Sequence, residues 1–381
     1  MGKAAREQLS RALSEHLNTI HETFQMLDQT PASSLEKVSW KEVIQMGEQV
    51  SKQATTVGML YTGETPGVKA LEENMATYFN TLQGFLLLSH GSSMGAGPTL
   101  SSCIHKSVKQ VTDGSFALLQ EAVSSYALLM LLTILLMMIT DVILMLKLKG
   151  SPNKAQKLSI PQLVGAVWEA CSALKKTPST NVTAIGRAIT QVAVSMKDVL
   201  REMKELKPAS SPSDEASVQA EDKSDSDDAC DADLGNDLSP EEMKIVQLTI
   251  SIVSDTLMVI KELIRSITAL LQQESCDGSA VSVDSLEKLL KLCQGIGVQV
   301  DELGACLYPP QEISAIKVAL EKISSFTSDT EVELGNLKGF SGDFGKACTG
   351  LRGSLRQLES QLSYVGAGDL ASGMENLVVS N

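Results

Sequence analysis

The chain has 381 residues and a formal charge of −14, from 32 Lys and Arg against 46 Asp and Glu. Apolar residues make up 43% and aromatics only 4%, so a core must be built from Leu, Ile, Val, Met and Ala, which favours helices packed on helices. The acidic balance, with no block of Lys and Arg, excludes direct nucleic-acid binding, because a phosphate backbone requires a clustered basic face.

Seven cysteines (Cys103, Cys171, Cys230, Cys276, Cys293, Cys306 and Cys348) are scattered, and none forms a C-x-x-C pair. The four histidines, His16, His21, His90 and His105, leave a zinc site little raw material, so no metal or other cofactor is expected. The opening "MGKAAREQLSRALSEHL" lacks an apolar run of signal-peptide length, and Arg6 stands where a myristoylation motif wants Ser or Thr. The expected compartment is the cytosol or nucleus, with reduced thiols.

Helical spacing recurs along the chain and strand signals are nearly absent. Val43, Met46, Val50, Ala54 and Val57 step by three or four, as one face of a helix does. "TPASSLEKVSW" before it and "TGETPGVKALEENM" after it supply breaks and caps. "SHGSSMGAGPTLSS" is a Gly/Ser-rich loop ahead of a helix through Ile104, Val108 and Val111.

That helix leads into "ALLMLLTILLMMITDVILMLKLKG". From Ala127 to Leu146 only Thr133, Thr140 and Asp141 interrupt the apolar run, long enough as a helix to span a ~30 Å bilayer core. Each Leu, Ile, Met or Val favours insertion by about 0.3 to 0.6 kcal/mol, while Asp141 costs at most about 3, so hydropathy favours a membrane segment through Leu128, Leu136, Asp141 and Leu146. Topology opposes it. Lys147, Lys149, Lys154 and Lys157 follow the run while only Lys106 and Lys109 closely precede it, which would send the N-terminal helices across the membrane with nothing to carry them. A fully buried bundle helix would also read as apolar all round. An anchor and a core helix both stay open.

"GSPNKAQKLSIPQL" restarts the chain, and "KKTPSTNVTAIG" separates two further helices, the second ending near Leu206. The stretch 208–240 is crowded with Asp, Glu and Ser and offers almost nothing to bury, so it reads as an acidic disordered linker. Within it Ser211 and Ser239 precede proline and Ser224 and Ser226 sit among carboxylates, all candidate phosphorylation sites, although a solvated spacer with incidental serines fits equally.

Beyond it, Met243, Val246, Ile250, Val253, Leu257, Ile260, Ile264, Ile267 and Leu271 alternate steps of three and four, with a second stripe through Leu248, Ile252, Val259 and Leu263. Leu286, Leu289, Cys293, Ile296, Val300, Leu303 and Leu307 repeat the pattern until Tyr308, Pro309 and Pro310 stop it, and Ile313, Ile316, Leu320 and Ile323 begin again. Such seams serve bundles within a chain or coiled coils between chains, and packing within the chain is the expectation here. The fold class is therefore all-α: an N-terminal helical domain over 1–207, the acidic linker, a C-terminal helical domain over 241–365 and a flexible tail over 366–381.

No catalytic constellation emerges. The elbow G-x-S-x-G, the zinc pair H-E-x-x-H and the phosphate loop are all missing, and no enzyme is expected. "DADLGNDLSPEE" puts Asp231, Asp233 and Glu242 at three calcium-loop positions, but Gly235, Asn236 and Pro240 break the pattern.

"KALEENMATYFNTLQGFLLL", "SVKQVTDGSFALLQEAVSSY", "LVGAVWEACSALKKTP" and "VDELGACLYPPQEISAIKVALEKI" together resemble the cyclin-D-binding protein family, also called GCIP, over roughly residues 35–125 and 158–330. The resemblance implies an all-helical, non-enzymatic binder of D-type cyclins and helix-loop-helix transcription factors, nuclear and cytoplasmic, that restrains cell-cycle progression. The family passes from the "QEAVSSY" helix to the "VWEAC" helix by a short polar connection, so 127–149 is expected to be an insert in that connection. The candidate interaction helices are those flanking Tyr308–Pro310: paired with a helix-loop-helix partner, and lacking a basic region, they would yield a dimer unable to grip DNA. The plainer expectation is that they pack on each other and that binding uses another face. The alternative function is a single-pass membrane scaffold anchored by 127–146. The sequence leaves the oligomeric state open.

Overall fold

The structure is a computed structural model that describes residues 2–29, 37–61, 67–139, 159–208, 238–277, 282–337 and 342–378. The chain folds as two compact units, Met1–Asn181 and Val182–Asn381. Both are helical, and no strand occurs among the described residues.

The first unit contains α1 (Gly2–Gln29), α2 (Trp40–Leu60), α3 (Val68–Ser92), α4 (Pro98–Ile139) and α5 (Ile160–Ala173), with one 3-10 turn, Leu174–Lys176, closing α5. Ser159 caps α5 through a reciprocal box: its N–H donates to Gln162 Oε1 at 2.8 Å, and Pro161 occupies the first turn, where no N–H is needed. α2 and α5 run antiparallel at close range because α2 carries glycine where α5 approaches. A Cβ on Gly47 would lie 2.4 Å from Leu174 Cδ1, and one on Gly58 3.0 Å from Val164 Cγ2. Trp40 Nε1 donates to the Leu174 carbonyl at 3.0 Å and fastens the same pair. α3 and α4 turn back on each other through a short loop in which Gly95 has φ +74°, the left-handed region that favours glycine. The Asn181 amide clamps this loop, donating to Gly95 O at 2.8 Å and accepting from Gly97 N at 2.7 Å. α1 lies on α3 and α4, burying Leu9, Leu13 and Ile20 and stacking His16 on Phe79 at 4.8 Å.

α4 extends 42 residues, from the loop through "QEAVSSY" into "ALLMLLTILLMMI" without a break. The first part of the expected insert, to Ile139, thus continues α4 as helix; residues 140–149 lie outside the described residues.

The second unit contains α6 (Asn181–Glu205), α7 (Pro240–Asp277), α8 (Val283–Cys306), α9 (Ile313–Asn336) and α10 (Gly342–Val378). Its helices close a ring. Gly186 of α6 sits against Ile267 of α7, Asp255 of α7 accepts from Ser354 of α10, and Arg352 of α10 pairs with Glu331 of α9. Lys288 of α8 pairs with Glu333 of α9 at 2.7 Å, and α8 returns to α6 through Gly297 and Gly304, whose added Cβ atoms would lie 2.9 Å from Val192 and Val199. Both stripes of α7 are used, since Val246, Val253, Ile260 and Ile267 are buried, as are Ile252, Val259 and Leu263. That is why a helix long and apolar enough to cross a membrane belongs to this core. The core threonines Thr249, Thr256, Thr327 and Thr330 each donate to the carbonyl four residues back, which satisfies their hydroxyls.

Composition draws the division of the chain at 208–240, whereas packing draws it at Asn181–Val182. The stripe Val182, Ile185, Ile189, Met196 and Met203 of α6 completes the second unit's core. Pro208 and Leu238, on either side of the acidic stretch, pair as a parallel bridge within that unit, with Leu238 fully buried. The α10 backbone stays helical to Val378, across most of the expected tail, where Leu370, Met374 and Leu377 keep helical spacing.

Candidate interaction surface

The apolar repeat of α8 is spent inside its own unit. Leu286, Leu289, Ile296, Val300 and Leu303 are fully buried, as are Ile316 and Leu320 of α9, and Ile313 packs half-buried against them. The seam available in the sequence for a helix-loop-helix partner is filled by the neighbouring helices. The turn between α8 and α9 is different: Tyr308 is 44% exposed, Pro309 half-buried and Pro310 exposed, with a cis Pro309–Pro310 peptide. Gln311 holds this turn in place, its Nε2 donating to Leu307 O and to Glu242 O, each at 3.2 Å, which ties it to the first turn of α7.

Two grooves flank the outer ridge of α8. One, of about 480 Å³, lies between α8 and α9 and is lined by Val298, Gln299, Glu302, Ser314, Ala315, Val318, Ala319 and Lys322. The other, of about 340 Å³, lies between α8 and α6 and is lined by Val199, Glu202, Met203, Leu206, Asp301, Gly304, Ala305 and Tyr308. Val298 is 59% and Val318 47% exposed, so each leaves a large apolar side chain in water at a groove wall. Burial pushes the Asp301 carboxyl above its ordinary pKa. The result is an apolar strip with Glu202, Asp301 and Glu302 along it. Such a face can take an amphipathic helix that presents apolar side chains and cations. It brings together no nucleophile and base. Sequence reasoning missed Val298 and Val318, although each lies two positions past a seam residue, Ile296 and Ile316, and that displacement was the available signal.

The other candidates fall elsewhere. Ser211, Ser224 and Ser226 lie outside the described residues, as do Asp141 and Leu146, while Leu128 and Leu136 lie on the helical backbone of α4. Ser239 caps α7: its N–H donates to Glu242 Oε2 at 2.8 Å and its Oγ accepts from Glu242 N at 3.2 Å. Glu242, the twelfth residue of the calcium-like stretch, is thus committed to a helix cap, and among the described residues no cluster of His, Cys, Asp and Glu could hold a metal. Burial pushes the thiols of Cys171 and Cys293 up to about 12 and that of Cys348 up to about 11, which suits packing residues and not nucleophiles.

The family description "Grap2 and cyclin-D-interacting, N-terminal" matches residues 42–209, and its C-terminal counterpart matches residues 220–331. The Cyclin-D1-binding protein 1 homolog of Xenopus laevis is 21% identical over 294 residues, covering 75% of this chain and 76% of that protein. The second match contains α8, the Tyr308–Pro310 turn and most of α9, the elements that build the grooved face. This chain belongs to the Grap2 and cyclin-D-interacting protein family.

Proposed function

We propose that this chain is a non-enzymatic interaction protein that binds a D-type cyclin and restrains cell-cycle progression or transcription by holding its partners. The observation that carries the reading is the pair of family matches, which between them take in both units of the fold. The grooved face of α8 supports it with a physical surface, because exposed valines and a tyrosine beside carboxylates offer the apolar anchors and charges that an interface needs. Residence in the nucleus and cytoplasm belongs to the same proposal. A helix-loop-helix factor is the second partner class, and the burial of the α8–α9 seam means that it too would have to engage the outer face.

Calorimetric titration of a purified D-type cyclin into the full chain tests this directly. Binding at micromolar concentration or tighter is expected. Val298→Glu with Val318→Glu is expected to weaken it by about tenfold or more without lowering the unfolding temperature, since both side chains are exposed. An absence of heat and of complex at tens of micromolar overturns the proposal.

A further inference from the structure

α6 and α8 run parallel and in register. Val192 meets Gly297 and Val199 meets Gly304, a step of seven along each helix. A further step would fall at Leu206 and Gln311, past Glu205 and Cys306, where the two helices end. The close approach therefore lapses, and the groove of about 340 Å³ opens at the shared C-terminal end. Met203 and Leu206 of α6 give it an apolar floor, and Gly304 of α8 adds no side chain to fill it. Glu202 and Asp301 line it, one from each helix, and so does Tyr308, just past α8. The charge of this space is negative. Each helix brings the negative end of its macrodipole here; α8 has no basic residue in its last turn, and Lys204 of α6 does not line the groove. Among the described residues no cation pairs with Glu202 or Asp301, whereas Asp198, one turn earlier on α6, holds Arg201. Burial raises the Asp301 carboxyl above its ordinary pKa, and no neighbouring cation opposes that shift.

We infer that this groove receives an arginine side chain of a protein partner. The methylenes lie on Met203 and Leu206, the guanidinium bridges Glu202 and Asp301, and its flat face stacks on the Tyr308 ring. The apolar floor selects an organic cation with a hydrocarbon stem, and among the described residues no cluster of side chains suits a metal ion. Arginine is favoured over lysine because its planar, weakly hydrated fork donates to two walls at once and stacks on an aromatic ring, whereas an ammonium is a compact and strongly hydrated charge. The volume sits at the small end of ligand sites, which run from roughly 300 to 1,000 Å³. The groove therefore takes one side chain while the partner's backbone lies along the ridge of α8. The inference rests on the proposed role as an interaction protein and names what the partner must bring to that face.

Saturation-transfer NMR on the full chain with N-acetylarginine methylamide at millimolar concentration tests the pocket without any partner. Saturation is expected to reach the arginine methylene protons, and to reach them more strongly than those of N-acetyllysine methylamide. Glu202→Gln with Asp301→Asn is expected to weaken binding about tenfold at an unchanged unfolding temperature, since neither carboxylate is paired among the described residues. Glu205→Gln, at the same end of α6 but outside the groove, is expected to change nothing. Calorimetric titration of a D-type cyclin should show a similar loss for the double variant. An arginine probe that fails to bind, binds no better than the lysine probe, or binds the double variant equally overturns the inference. So does a cyclin that binds the double variant as tightly as the natural chain. A chain that binds the arginine probe through Glu202 and Asp301 but binds no cyclin keeps the pocket and overturns the cyclin reading alone.

Discussion

α7 and α4 are two long apolar helices, 38 and 42 residues, one in each unit, and the fold buries them differently. α7 carries two apolar stripes and buries residues of both, so a helix with the length and composition of a membrane span becomes one member of a ring around a shared core. α4 buries one face between Leu100 and Val123 and leaves the opposite face, with Lys106 and Lys109, in water. Hydropathy counts apolar side chains, whereas the fold decides how many neighbours reach them. Supply of neighbours on both stripes is what makes α7 a core helix.

The widest gap between the two helices should appear on truncation. Ile260→Ala, in the middle of α7, is expected to cost about 2 to 5 kcal/mol in urea unfolding, whereas Lys106→Ala, on the exposed face of α4, should change stability by less than ~0.5 kcal/mol. Equal losses would contradict the burial of Ile260. Overpacking comes next. Gly47→Val forces side-chain atoms toward the fully buried Leu174 and should destabilise the first unit by about 1 to 3 kcal/mol, read from Trp40 fluorescence on denaturation. Ser239→Ala removes the cap that starts α7 and should cost about 1 kcal/mol, with Ser239→Asp recovering most of it.

The smallest effect is on pH dependence. A hydrogen bond from Lys288, helped by Ser285, lowers the Glu333 pKa below its ordinary value. A lowered carboxylate contributes stability that is complete above its unfolded pKa of about 4.3 and is lost as pH falls through the folded value. Lys288 is raised by the same pair, so its share is present below about 10.4 and fades at higher pH. The stability difference between the natural chain and Glu333→Gln should therefore be constant near neutral pH and shrink below about pH 4, and Lys288 being largely exposed keeps it small. A difference that grows on acidification would contradict the pairing.

The helical class was legible because the three-and-four spacing of α7, α8 and α9 has few gaps, and Pro309 and Pro310 mark the one turn where it must stop. The burial of Leu286, Leu289, Ile296, Val300 and Leu303 follows from that same spacing. Which helix packs on which was not legible. α6 looks like the last helix of the first half because an acidic stretch follows it, yet its glycine-matched valines fit α8. Spacing reveals a stripe but not its partner. The grooved face was invisible for a related reason: it is made of residues displaced from the seam, and they form a surface only after α6, α8 and α9 are brought side by side. Ser239 read as a modification site because proline follows it, and that same proline sits at the first position of the helix that Ser239 caps.

The central claim is that the α8–α9 seam belongs to the core and that the outer face of α8 is what a partner meets. Hydrogen–deuterium exchange of the chain, alone and saturated with a D-type cyclin, tests this most directly. The account predicts slow exchange at Leu289, Ile296 and Leu320 in both states, with new protection confined to the stretch from Val298 to Tyr308 and to Ser314 through Lys322. Accelerated exchange of those seam amides on binding, or a footprint that leaves the α8 ridge untouched, would contradict it.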